Sequence, residues 1–256
     1  YLGPKYHVVI ANPPYMGGSG MNPRLKAFLQ DEYPDAKSDL FSAFIVRNTE
    51  LALPKGQLGY MSPFVWMFIT SYEKLREFLI TQKTITSLIQ LEYSGFEGAT
   101  VPICTFTIEN SLRPEFKGGY IRLSDFRGAE NQGPKALEAI KNPQCGWFFR
   151  ASAADFRVIP GNPIAYWVSK TIVNSFEKGR LLGEFCSTRK GMATGLNEKF
   201  VRLWFEVSHG KIGLDCTRTE AVESLWKWFP YANGGDYRKW YGNYYEVVDW
   251  ENDAER

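Results

Sequence analysis

A short apolar run cut off by two prolines sets the strongest limit on what this chain can fold into. Tyr6-His7-Val8-Val9-Ile10-Ala11 is rich in β-branched residues and stops at Asn12-Pro13-Pro14. Continuous apolarity suits a central parallel strand covered on both faces. Proline has no N–H to give to a ladder, so the strand must end there. From Ser38 the hydrophobic period changes. Leu40, Phe41, Phe44, Ile45, Asn48 and Leu51 fall on helical spacing, with Ser38 placed to cap the helix and Pro54-Lys55-Gly56 to end it. Leu58 to Ser62 reads as the next strand. A helix from about Ser71 follows, then strands over 84–92 and 101–109.

This βαβαβ order predicts a parallel or mostly parallel sheet with helical crossovers. The last two strands are joined only by residues 93–100, too few for a helical crossover, so that pair is expected to be antiparallel. After Glu109 the texture shifts to Gly/Pro punctuation, with one helix expected over about 163–176. From Leu181 the chain is rich in strand and turn signals. The expected division is 1–125, a connecting region over 126–180, and a second folded region over 181–256.

Composition narrows the chemistry. Cys104, Cys145, Cys186 and Cys216 are dispersed, and so are His7 and His209, so no metal-ligand spacing exists and no metal is expected. Four scattered cysteines read as reduced thiols in a cytoplasmic protein. No apolar run reaches the roughly eighteen residues of a membrane helix, and no membrane partner is expected. The formal charge of +2 is near neutral, but 16% of the residues are aromatic. Ten aromatics lie within 226–250. They read either as the core of a small β domain or, interleaved with Lys227, Arg238 and Lys239, as a nucleic-acid surface. Over 170–245 there are twelve Lys/Arg against eight Asp/Glu, a modest excess compatible with phosphate contacts.

Asn12-Pro13-Pro14-Tyr15 carries the most chemical information. Asn-Pro-Pro can be a plain strand terminator, but here it stands where α/β sheets open their ligand crevice. An exocyclic amine on an aromatic base is a poor nucleophile, because its lone pair is delocalised into the ring. Two acceptors for its two hydrogens counter this. The Asn12 side-chain oxygen supplies one and the Pro13 carbonyl the other. They pull the nitrogen toward tetrahedral geometry, so that a methyl sulfonium placed in line can be attacked without a strong base. Tyr15 would stack on a base that has left the duplex.

The segment resembles motif IV of the amino-group DNA methyltransferases that use S-adenosylmethionine, in the adenine-N6 form. Ser38-Asp39-Leu40-Phe41 resembles motif V, Gly56 to Pro63 motif VI, and Gly95-Phe96-Glu97-Gly98-Ala99-Thr100-Val101 motif VIII. The resemblance implies that Phe96 stacks on the flipped adenine opposite Tyr15, and that Asn12 and Asp39 border the cofactor. Asp39 reads equally as a helix cap. Lys190 to Phe200 resembles the segment opening the target-recognition region of fused restriction–methylation and phage-exclusion enzymes. Lys227 to Gly235 and Arg238 to Asn243 resemble the same phage-exclusion (BREX-type) group. Arg189, Lys190, Asn197, Lys199, Arg238 and Lys239 are the DNA-contact candidates.

The implied fold is α/β, the C-terminal half of a Rossmann-like methyltransferase sheet whose parallel strands end in an antiparallel hairpin, followed by an α+β target-recognition region. The implied activity is methyl transfer from S-adenosylmethionine to adenine N6 in double-stranded DNA, within a restriction–modification or phage-defence system whose other subunits are candidate partners. The family places its cofactor loop before motif IV, so that loop is expected to lie outside this chain. The isolated piece is then expected to be inactive, to bind cofactor weakly, and to associate through an exposed sheet edge. Two other readings stay open: N-methylation of a protein glutamine amide, and a non-catalytic DNA-recognition module.

Overall fold

The computed structural model describes residues 3–93, 95, 101–187 and 192–251. The chain divides into two compact units, residues 1–184 and 185–256. The first opens with strand β1 (Tyr6–Ala11) and helices α1 (Pro23–Glu32) and α2 (Leu40–Leu51). Strand β2 (Ala52–Pro63), helix α3 (Glu73–Gln82) and strands β3 (Thr84–Gln90) and β4 (Ile103–Glu109) follow. The expected alternation is present. β1 pairs parallel with β2, and β3 antiparallel with β4. β4 also inserts between β2 and β3, antiparallel to both.

The sheet does not finish at that hairpin. β5 (Gly118–Arg122) pairs parallel with β3. After helix α4 (Ala129–Lys141), β6 (Phe148–Ala151) pairs antiparallel with β5. The six-stranded order is β1-β2-β4-β3-β5-β6. Residues 126–180, read as a connector, thus supply a sheet strand, followed by the short helix α5 (Ala153–Phe156) and α6 (Lys170–Lys178). The helix expected over 163–176 begins at Lys170, capped by Ser169. Residues ahead of it are spent on packing: Ile164 and Tyr166 are buried, and the Ile164 N–H donates to the Met67 carbonyl at 2.9 Å.

Period-2 alternation places Leu58, Tyr60 and Ser62 of β2 inward. Leu58 and Tyr60 join Phe41 and Ile45 of α2, Leu75 and Leu79 of α3, and Leu88, Phe106 and Ile108 in the main core. The Tyr60 and Phe106 rings stack at 5.1 Å. β1 corrects its own expectation. Its apolarity predicted cover on both faces, but Val8 is 57% and Ile10 80% exposed, while Val9 and Ala11 pack on the core. β1 stands at one end of the sheet order, and among the described residues only one of its faces is covered.

Two helix-end expectations also change. Asp39, not Ser38, is the N-cap of α2, because Asp39 has extended backbone and its carboxylate takes the Phe41 N–H. The Ser38 hydroxyl donates to the Ser71 carbonyl instead. α2 ends at Leu51, and Pro54-Lys55-Gly56 lies inside β2, with Lys55 at φ 64°.

Two polar side chains, buried Arg76 and half-buried Asn110, hold the unit's irregular backbone. Arg76 is 1% exposed and donates to the carbonyls of Gly161, Trp66 and Ile69 at 2.7–2.9 Å. The Asn110 amide donates to Thr49, Ala52 and Leu53 carbonyls at 2.9–3.2 Å, tying the end of α2 to the start of β2.

The second unit holds α7 (Asn197–Phe200), β7 (Val201–Leu203), α8 (Arg218–Glu223), β8 (Trp228–Tyr231) and β9 (Glu246–Asp249). β9 lies between β7 and β8, antiparallel to each. Val247, Val248 and Ile212 are buried. Among the described residues no helix is long and apolar enough to cross a membrane.

Removing the Arg76 guanidinium takes a buried donor from three inward carbonyls, of which Ile69 keeps the Tyr72 N–H. Arg76→Met is expected to lower unfolding free energy by about 3 kcal/mol in urea titration. A loss below about 1 kcal/mol would show that water replaces the side chain. Asn110→Ala is expected to cost about 2 kcal/mol by the same measurement, since it orphans the α2–β2 junction.

Candidate active site

Parallel pairing of β1 with β2 runs to Ala11 opposite Tyr60 and then stops at the prolines. The chain leaves the sheet there, so Asn12 to Tyr15 stand at the C-terminal end of β1. Asn12 and Pro14 are exposed, Pro13 is buried and Tyr15 is half-buried. The Tyr15 ring meets the Phe41 ring edge-on, with centroids 6.4 Å apart at 87°. Its hydroxyl lies 3.0 Å from Asn12 Oδ1 and 3.3 Å from the Met61 carbonyl, and it can donate to either. Burial, and next the neighbouring Cys104, push the Tyr15 phenol above its ordinary value, so the hydroxyl keeps its proton as a donor.

This contact orients Asn12. With the hydroxyl hydrogen on Oδ1, the shorter of the two contacts, the oxygen end of the amide faces Tyr15. In that arrangement the acceptor needed for an amine is held in place; donation to Met61 instead would let the amide turn its N–H to the phenol oxygen. An amide oxygen has two lone pairs, so Oδ1 can keep the Tyr15 hydroxyl and still receive one hydrogen from a substrate.

The far end of the loop is fixed by Asp39. Its Oδ1 accepts from the Met16 N–H at 2.9 Å and from the Phe41 N–H at 3.2 Å. The Leu40 N–H returns a bond to the Met16 carbonyl at 3.0 Å, and Gly17 forms an antiparallel bridge with Asp39. One carboxylate oxygen thus caps α2 and anchors the loop. Sequence reading found Asp39 as a cap or a cofactor contact and missed the anchoring, because Met16 and Asp39 are far apart along the chain.

Cys104 is fully buried, and desolvation pushes its thiol up to about 12. It stays protonated and is no nucleophile. Phe96 lies outside the described residues, as do Arg189 and Lys190. The exit of β3, toward the Phe96 segment, is held by a residue that sequence reading passed over. Gln132 on α4 is 5% exposed, accepts from the Glu92 N–H at 3.0 Å and donates to the Phe126 and Gly128 carbonyls. Only its burial marks it out.

In the second unit Asn197 opens α7 and accepts the Thr194 hydroxyl. Lys199 Nζ lies 4.9 Å from the Phe200 ring centroid. Arg238 and Lys239 are exposed on the segment between β8 and β9. The structure therefore brings Asn12, Tyr15 and Asp39 together, while the described DNA-contact candidates sit on separate segments of the other unit.

Residues 2–96 match the Eco57I restriction-modification methylase family. Over 258 residues, 99% of this chain, it is 36% identical to the adenine-specific methyltransferase PglX of Lacticaseibacillus casei strain Zhang. It is 37% identical over 260 residues, again 99% of the chain, to the adenine-specific methyltransferase BrxX of Escherichia coli O9:H4 strain HS. The chain spans about a fifth of the length of these curated relatives, 21% and 20% respectively. A crystal structure of a type I restriction-modification methyltransferase subunit from Streptococcus thermophilus aligns with a TM-score of 0.50 at 20% identity. The alignment covers 66% of this chain and 39% of that one, a likeness of fold. Residues 2–96 are thus similar to the Eco57I restriction-modification methylase family, in a chain similar over nearly all its length to adenine-specific methyltransferases.

Proposed function

We propose that this chain carries the catalytic loop and part of the DNA-recognition region of an S-adenosylmethionine-dependent adenine-N6 DNA methyltransferase serving restriction–modification or phage defence. The observation that carries this reading is the oriented Asn12 amide, held by Tyr15 at the end of β1. Duplex DNA is the substrate in this reading, and subunits of a defence complex are its partners.

In the reaction, Asn12 Oδ1 and the Pro13 carbonyl accept the two hydrogens of the adenine amine. The nitrogen lone pair leaves ring conjugation and is aimed at the methyl donor. The amine becomes acidic as it is alkylated, and its proton passes to solvent without a strong base. Alignment and acceptor placement supply most of the rate. Pro13 is buried, so its carbonyl belongs to backbone that does not shift when a base enters. Tyr15 holds Asn12 through its hydroxyl and offers its ring to the base; the family resemblance assigns the other face to Phe96. S-adenosylmethionine supplies the methyl group. Of this chain, Asn12 and Asp39 would border it. The donor set fits: both Asp39 bonds use Oδ1, so a partly exposed carboxylate keeps Oδ2 for a cofactor hydroxyl or amine.

The test uses the full-length protein with labelled S-adenosylmethionine and duplex DNA. Label is expected in DNA, and Asn12→Ala is expected to cut transfer at least about 100-fold, the scale for losing one preorganised polar group. Label in protein instead of DNA, or undiminished transfer by Asn12→Ala, would overturn the proposal. Tyr15→Phe keeps the ring and removes the orienting hydroxyl, and a fall in kcat of about 5- to 10-fold is expected. Asp39→Ser retains a helix cap but is too short to reach Met16, so kcat should fall while the melting temperature barely moves. Asp39→Asn, which still presents Oδ1, should restore most of the rate.

A further inference from the structure

The aromatic cluster of the second unit splits in two. Trp228, Phe229, Tyr231 and Trp250 lie on or beside the small sheet and are partly buried, and Trp226 beside them is 37% exposed. The other five lie between β8 and β9. Tyr237 is 86% exposed, Trp240 84%, Tyr241 81%, Tyr244 69% and Tyr245 53%. Large rings left in water at this density mark a surface that something else covers.

The segment is built to hold that surface in shape. Gly234, Gly235, Gly242 and Asn243 all have positive φ, the two middle glycines at 144° and 149°. A Cβ on Gly235 would lie 2.9 Å from Asn243 Cγ, and one on Gly242 2.7 Å from Arg238 Cγ. The Asn243 amide donates to the Asp236 carbonyl at 3.0 Å. The two limbs therefore close on one another. The exit is tied down where the Trp204 N–H donates to the Tyr245 carbonyl at 2.9 Å. A closed loop presents its rings at little further entropic cost.

Its composition selects the partner. Residues 232–245 contain no Leu, Ile, Val or Met, so the exposed apolar surface of the loop is almost entirely aromatic. Arg238 and Lys239 stand between Tyr237 and Trp240, opposed by the single acid Asp236. Lys239 Nζ lies 5.3 Å from the Trp240 ring centroid. Exposed rings alternating with cations suit base faces and phosphates together. We infer that the β8–β9 loop is a DNA-contact element, whose rings stack on unstacked bases while Arg238 and Lys239 engage the backbone. This rests on the reading of the chain as part of a DNA methyltransferase, an activity that needs a base taken out of the stack.

The test titrates the full-length protein by fluorescence anisotropy with two duplexes, one fully paired and one carrying an unpaired adenine. Trp240→Ala and Tyr241→Ala are each expected to weaken binding roughly 5- to 100-fold, the scale of one lost stack. The loss should be larger on the unpaired duplex, and Trp240→Phe should retain most of the affinity. Arg238→Ala and Lys239→Ala should each lower the slope of log K against log salt by about 1. Wild-type binding with unchanged variants would sink the loop assignment alone. If the alanine variants lower the melting temperature of the free protein, the rings are covered by protein and the assignment also fails. A wild-type protein that binds neither duplex would overturn the DNA reading itself, which methyl transfer checks separately.

Discussion

One carboxylate oxygen joins the chemistry to the fold. Asp39 Oδ1 accepts the Met16 N–H from the loop and the Phe41 N–H from the first turn of α2. The loop leaves the sheet because Pro13 and Pro14 cannot pair, and its far end needs an attachment outside the ladder. Asp39 supplies that attachment from a helix already fixed by Phe41 and Ile45 in the core. The position of Asn12 is then a consequence of core packing rather than of loop chemistry. Tyr15 completes the arrangement, since its ring rests on Phe41, the residue whose amide Asp39 caps.

The same device recurs where backbone is irregular. Arg76 gathers the Trp66, Ile69 and Gly161 carbonyls, which belong to short helical turns and a loop outside the sheet. Asn110 does so at the α2–β2 junction, and Gln132 at the exit of β3. A buried carbonyl without a donor is costly, so one side chain with several N–H groups lets the chain turn inside the protein. These residues set the ends of β2 and β3, the strands that border the candidate site.

Much of this was legible beforehand. The strand ended by Asn12-Pro13-Pro14, the helical period from Leu40, and the short 93–100 link announced a parallel sheet with an antiparallel pair. The Asn-Pro-Pro-Tyr chemistry followed from the residue types. The errors share a cause. Ser38 and Asp39 both suit a cap, and choosing between them takes the backbone angles. Pro54 to Gly56 looked like a helix end but forms the irregular start of β2. β5 and β6 were overlooked because short strands among glycines and prolines have weak periodicity. Nor could composition say which of ten aromatics are packed. Those on or flanking β8 and β9 find a sheet to rest on, while those on the closed loop between them do not.

The sequence by itself determined the local events. Proline stopped β1, alternation set the inward face of β2, and Asn12 and Tyr15 supplied an acceptor and a ring, because each depends only on a residue's own groups and near neighbours. Tertiary structure decided what those groups face. It placed the Tyr15 hydroxyl on Asn12, put Met16 on Asp39, inserted β4 between β2 and β3, and left Trp240 in water. Each of these depends on residues distant in the chain. Packing of the whole core brings them together, and no local pattern encodes that.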